Sequence, residues 1–163
     1  LSSFFSTHVY LCTLGDDNIF SVSPDKISVF NESILESVLP KFGLTYTNEA
    51  KSGLTHISRD ITEVTFLKRS FRYESILDRY VAPLNLDVIL EMPYWTVRGH
   101  MSHTIPCNTF ESALTELSLH GDSTFNAYAP LMLKAFAEKY NFHPSVSNRY
   151  TLVLKSATIE EMW

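Results

Sequence analysis

Hydrophobic and polar positions alternate in blocks along this chain, and the period of each block predicts its structure. Val9-Tyr-Leu-Cys-Thr-Leu14 is apolar and rich in strand formers, and Asn18-Ile-Phe-Ser-Val22 is a second such run. Gly15-Asp16-Asp17 lies between them, so the two runs read as a hairpin with a tight turn. Phe30, Ile34, Leu35, Val38, Leu39 and Phe42 follow helical spacing and predict an amphipathic helix over 30–42. Asn31 or Ser28 is placed to cap its start. Gly43 is placed to stop it, and Pro40 to kink or shorten its last turn. Residues 44–47 read as a short strand, and 63–67 and 70–73 as two strands around a Lys68-Arg69 turn. From about residue 76 the period becomes helical. Asn108-x-x-Glu111 resembles a capping box ahead of Phe110, Leu114 and Leu117, and Gly121 marks that helix's end. A longer helix follows, with Phe125, Tyr128, Met132, Phe136 and Tyr140 on one face. The expected organisation is a mixed α/β layer, then mostly helix, with a boundary near 74–84.

Composition narrows the class. In 163 residues, 45% are apolar, which excludes a disordered chain. Charged residues are only 19% and aromatics 13%, so some apolar surface is expected to meet further protein. No apolar run approaches the ~20 residues of a membrane helix. Two cysteines, Cys12 and Cys107, are too few for a disulfide framework and fit a reducing compartment. The chain starts without Met just before a strand-like run, has no basic leader, and is expected to be a piece of something longer. The formal net charge of −5 argues against a generic nucleic-acid binder. Residues 51–79 nevertheless hold six bases against four acids, and such a local stretch can contact phosphates.

Three constellations carry candidate chemistry. Gly15-Asp16-Asp17-Asn18 places two mutually repelling carboxylates at a hairpin tip. Their hard oxygens suit Mg²⁺ or Mn²⁺, and the preceding glycine permits an unusual turn. Asp, Asn and Gly are also ordinary turn formers. Here the flanks are nearly all apolar, which implies a buried sheet delivering charge to a cleft. Phe66-Leu67-Lys68-Arg69-Ser70-Phe71-Arg72 would give a hairpin with a cationic tip able to hold a nucleic-acid backbone, or an ordinary solvated turn. Tyr46-Thr47-Asn48-Glu49-Ala50-Lys51-Ser52-Gly53 draws interest through its position, since Lys51 follows the helix after the Asp pair. His100-x-x-His103-x-x-x-Cys107 has zinc-ligand spacing but no evident fourth ligand, so a loop of exposed histidines is the default.

An apolar strand bearing Gly15-Asp16-Asp17, a helix, then Gly43, Tyr46-Thr47 and Lys51, then Phe66-Leu67-Lys68-Arg69, resembles the RNA-dependent RNA polymerases of picorna-like positive-strand RNA viruses. The Gly-Asp-Asp-Asn form is most similar to the dicistrovirus-type branch. The resemblance covers about residues 7–73 by ordered motifs and the rest by helical pattern only. It implies an α+β fold: residues 1–75 as the C-terminal part of a right-hand polymerase palm (an antiparallel sheet with a packed helix), and 76–163 as a mainly helical thumb. It further implies Mg²⁺ or Mn²⁺ as cofactor, with Asp16 as a metal ligand and Asp17 assisting. It makes Lys51 the proton donor to departing pyrophosphate, and puts Lys68, Arg69 and Arg72 on RNA. Gly15 and Asn18 would shape the turn. Implied partners are an RNA template, a primer or product strand, nucleoside triphosphates, and upstream palm and fingers of the same polyprotein. The implied location is the host cytoplasm, at replication complexes.

Leu14 departs from the tyrosine these viruses usually place before the motif. No Asp-x₄-Asp pair is present, nor a Ser-Gly-rich nucleotide-selecting segment, so both are expected upstream and this chain alone is expected to be inactive. A reverse transcriptase is the enzymatic alternative. A Ca²⁺-stabilised binding module using Asp16, Asp17 and Asn18 is the non-enzymatic one, although the alternating ligand spacing of calcium loops is missing.

Overall fold

The computed structural model describes residues 2–53, 56–94, 104–141, 143–145 and 147–160. The chain folds as two compact units, 1–67 and 68–163. Asn85 N–H donates to Lys68 O (2.7 Å) and Ser70 N–H to Pro83 O (3.1 Å), which ties the chain from Lys68 onward to the second unit.

The first unit opens with a short helix, α1 (Ser2–His8), which the apolar pattern did not predict. Strands β1 (Val9–Leu14) and β2 (Asp17–Val22) pair antiparallel with Leu14 opposite Asp17 and Val9 opposite Val22. The loop is therefore two residues, Gly15-Asp16, one fewer than expected. Gly15 has φ +63° and Asp16 is not among the positive-φ residues, the sign pattern of a II′ hairpin turn with glycine first. Phe30 packs edge-on against Phe20 of β2 and Phe5 of α1, each at 5.3 Å between ring centroids, so an aromatic cluster covers part of the ribbon.

Asn31 caps α2 (Glu32–Val38), as the pattern predicts: its side-chain oxygen accepts from Ile34 N–H at 3.0 Å, and its amide donates to Ile27 O at 2.7 Å. The last turn tightens to a 3₁₀ segment, Leu39–Phe42, because Pro40 has no N–H to continue the α ladder. Gly43, at φ +75°, ends it in a left-handed cap. Residues 44–47 are not a strand, since the described strands pair only as β1–β2 and as the hairpin of the second unit. Residues 61–63 form a 3₁₀ turn instead of starting a strand. Asp60 and Glu63 make a reciprocal capping box, a local alternative to the extended state.

In the second unit, β3 (Arg72–Glu74) overlaps the strand expected at 70–73, but it pairs antiparallel with β4 (Arg79–Val81), which the pattern missed, and not with residues 63–67. Helices α3 (Leu86–Glu91), α4 (Thr104–Ser118), α5 (Asp122–Tyr140) and α6 (Arg149–Glu160) follow. Helix α4 begins a turn before the expected capping box, leaving Asn108 inside the helix. Pro106 is tolerated in that first turn because N–H groups there lack an intrahelical acceptor. Gly121, at φ +90°, is the N-cap of α5 and not the terminator of α4. The core comprises Ile89, Phe110, Ala113, Leu114, Leu117, Phe125, Ala129, Met132, Phe136 and Leu152, with the Phe110 and Phe136 rings 4.4 Å apart. This is the helical face the spacing of Phe110, Leu114, Leu117, Phe125, Met132 and Phe136 predicts. Mixed helices and small antiparallel sheets make the chain α+β.

Candidate functional site

The tip of the β1–β2 hairpin holds Gly15, Asp16, Asp17 and Asn18 together, and all four are exposed. Register explains the arrangement. Asp16 occupies the second loop position, while Asp17 is the first residue of β2 opposite Leu14. Successive strand residues point to opposite faces, so Asp17 shares a face with Leu14 and Asn18 shares one with Thr13. A Cβ added at Gly15 would meet nothing within 4 Å, so φ there, and not crowding, favours glycine. The expectation of a buried sheet is not met within this chain. Tyr10 is 87% exposed and Leu14 61%, because a two-stranded ribbon hides little of itself and the aromatic cluster covers only part of it. Among the described residues no group of three or more His, Cys, Asp or Glu side chains is arranged to hold a metal ion. The tip's two carboxylates are hard oxygen donors that fit part of a divalent-cation site.

Lys51 lies in a loop of the same unit, exposed, with φ +50°. Its N–H donates to Asn48 O at 3.0 Å, and Asn48 Oδ1 accepts from Ser52 N–H at 3.0 Å, closing a tight turn beneath it. That loop is anchored by charges the sequence reading did not single out. Arg59 forks onto Glu49 at 2.6 and 3.0 Å. This hydrogen bond outweighs burial and holds the Glu49 carboxyl below the usual carboxylate range. Glu32 is buried and accepts from His56 N–H at 3.2 Å. Arg59 stands 3.8 Å away, and Oε1 of Glu32 has no hydrogen-bond partner among the described residues. Burial, and next the charge of Glu32, push the Tyr46 phenol above its ordinary value.

The basic segment divides into one exposed lysine and two engaged arginines. Leu67 and Lys68 both take positive φ, +52° and +61°, so the turn falls one residue earlier than the expected Lys68-Arg69. Two successive positive φ values are the pattern of a I′ turn. Lys68 is exposed. Arg69 grips Glu116 of α4 through both terminal nitrogens, at 2.8 and 3.0 Å, and donates to Ala82 O at 2.7 Å. Arg72 bonds Glu74 at 2.7 Å and Leu119 O at 2.9 Å. Glu74, only 2% exposed, also bonds Arg149, which donates to Ser118 O at 2.8 Å and Asp122 at 3.1 Å. Glu74, Glu116 and Arg149 escaped the sequence reading because no local motif marks them: Glu116 meets Arg69 forty-seven residues away and Arg149 meets Glu74 seventy-five residues away, contacts that only the fold makes. Of the proposed zinc set, His100 and His103 lie outside the described residues. Cys107 sits half-buried on α4.

The viral RNA-dependent RNA polymerase family matches residues 1–139. The replicase polyprotein of Acute bee paralysis virus (strain Rothamsted) is 37% identical over 138 residues, covering 81% of this chain and 7% of that polyprotein. The replicase polyprotein of Drosophila C virus (strain EB) is 35% identical over 122 residues, or 75% of this chain and 7% of that one. Among solved structures, a Sicinivirus 3Dpol RNA-dependent RNA polymerase superposes with a TM-score of 0.71 at 17% identity, over 93% of this chain and 31% of its own. That likeness carries the fold. The chain belongs to the viral RNA-dependent RNA polymerase family, and it spans a small fraction of the curated relatives it matches. This assignment replaces the reverse transcriptase and calcium-module alternatives.

Proposed function

We propose that this chain supplies the C-terminal palm segment and the thumb of a viral RNA-directed RNA polymerase, in which an RNA 3′-hydroxyl attacks the α-phosphate of a nucleoside triphosphate and pyrophosphate leaves. The observation that carries this reading is the hairpin tip, adjacent exposed carboxylates on a two-residue turn, within a chain whose first 139 residues match the family. Residues 1–75 are the palm share and 76–163 the thumb. Asp16 is a ligand for Mg²⁺ or Mn²⁺, and Asp17 assists at the same site. A divalent cation bound there supplies charge neutralisation and alignment of the reacting oxygens. Further carboxylates come from other parts of the polymerase, as expected for one-third of a fold, and the fingers complete the nucleotide site. Lys51, held over the Asn48–Ser52 turn, donates its ammonium proton to the departing pyrophosphate oxygen. Lys68 neutralises a backbone phosphate of the primer or template RNA. Replication takes place in the host cytoplasm.

The test uses a polymerase carrying this chain. Asp16→Ala abolishes primer extension while RNA affinity stays within about twofold; primer extension surviving at near wild-type rate would refute the ligand role. Lys51→Ala slows single-turnover incorporation and flattens its pH profile, and an unchanged profile would remove Lys51 from proton transfer.

A further inference from the structure

We infer that Glu116 is a positioning residue for RNA contact, and that Arg69 acts through it as a strut and not as a phosphate ligand. The inference rests on the reading of Lys68 as an RNA contact.

The geometry is a clamp. Glu116 takes Arg69 on both carboxylate oxygens, at 2.8 and 3.0 Å. Its Oε2 also receives Leu84 N–H at 3.4 Å. Arg69 pairs with Leu84 in an antiparallel bridge and donates to Ala82 O at 2.7 Å. His120, one turn further along from Glu116, places its ring nitrogen 2.7 Å from Leu84 O. One carboxylate therefore joins the segment leaving the Lys68 turn, the 82–85 segment and α4.

Two features make this a functional arrangement. Lys68 holds φ +61°, a conformation that residues with a Cβ avoid unless their surroundings impose it. Asn85 N–H bonds Lys68 O at 2.7 Å, so the segment that Glu116 restrains also fixes the Lys68 peptide. The charge census points the same way. A planar guanidinium held by a forked carboxylate has its charge matched and its strongest donors occupied. Lys68, exposed on the adjacent residue, is the cation left facing solvent at the turn. The Phe-Leu-Lys-Arg run thus divides into a presented charge and the strut that presents it.

The experiment measures primer–template RNA affinity against salt for a polymerase carrying this chain. Lys68→Ala is expected to weaken binding several-fold at low salt and reduce the slope of log K on log salt by about 0.7–0.9. If affinity and slope stay at wild type, the RNA-contact reading itself fails. Glu116→Gln is the discriminating variant. It frees Arg69, so a phosphate-contacting Arg69 would keep or raise affinity and slope. The strut predicts the reverse: affinity falls about tenfold and the slope drops as in Lys68→Ala. Wild-type or tighter binding by Glu116→Gln, with Lys68→Ala impaired, overturns the inference and leaves the contact reading standing. If Glu116→Gln does not fold, the exchange Arg69→Glu with Glu116→Arg decides. The exchanged pair restores RNA affinity and slope to within about threefold if the strut is correct. Loss of the slope despite a wild-type melting temperature would show that Arg69 itself meets RNA.

Discussion

Arg149→Met tests the buried charge network that holds the β3–β4 hairpin to the helices. Glu74 is 2% exposed and Arg149 9%, and the two are hydrogen-bonded to each other. Removing the guanidinium leaves Ser118 O without its 2.8 Å donor, Asp122 without its 3.1 Å partner, and Glu74 without one of the two arginines that balance it. Breaking one side of a buried pair costs about 3–5 kcal/mol, because the remaining charge is stranded in a poor solvent. That is a large part of the ~5–15 kcal/mol stability of an ordinary domain. With a urea m-value of ~1–3 kcal/mol/M, the midpoint should fall by more than about 1 M in circular-dichroism melts of the 163-residue chain. Replacing both partners, with Glu74→Leu and Arg149→Met, should cost less than Arg149→Met alone, since no charge is then left buried.

The same pair sets an acid limb. Burial pushes the Glu74 carboxyl up, but hydrogen bonds from Arg72 and Ile76 N–H and the charges of Arg149 and Arg72 outweigh it, leaving Glu74 below its ordinary value. A carboxyl lowered in the folded state contributes stability that is complete above its unfolded value, ~4.3 for glutamate. The contribution is lost as pH falls through the folded value. Arg149→Met should raise the Glu74 carboxyl and move acid unfolding to higher pH. A loss under about 1 kcal/mol with an unmoved acid transition would show that the network is incidental.

Asn31→Ala should cost ~1–2 kcal/mol in the same melts, since the side chain both caps α2 and bonds Ile27 O. Gly15→Ala should destabilise the hairpin by ~1–2 kcal/mol through positive φ alone, as the added methyl meets nothing; a neutral result would show that the turn relaxes. Glu32→Gln should bring the Tyr46 phenol titration, followed by NMR, part of the way down. Burial is the larger cause and remains, while the carboxylate's contribution disappears. An unmoved Tyr46 would place Glu32 outside its electrostatic reach.

Elements whose signal is local were legible. The β1–β2 ribbon follows from two apolar runs flanking Gly15, and α2 from its spacing, its Asn31 cap and its Gly43 stop. Where two local signals competed, the apolar pattern misled. The Asp60–Glu63 capping box drew Glu63, the expected first residue of a strand over 63–67, into a 3₁₀ turn. Pro106 allowed α4 to start before Asn108. The three-residue β4 is too short for an alternation signal.

By itself the sequence determined the adjacent carboxylates at a glycine turn, the order of motifs that places the chain in its family, and the apolar faces of α4 and α5. These depend on neighbours within a few residues or on a fixed period, and both are written in the chain. Only the tertiary structure decided what the charges do. Arg69, Arg72 and Lys68 have the same character in sequence. In the fold two of them meet carboxylates at Glu116 and Glu74 while the third stays exposed. A cation's role depends on whether an acid forty-seven residues away folds back within hydrogen-bond reach, as Glu116 does for Arg69, and no local pattern encodes that distance.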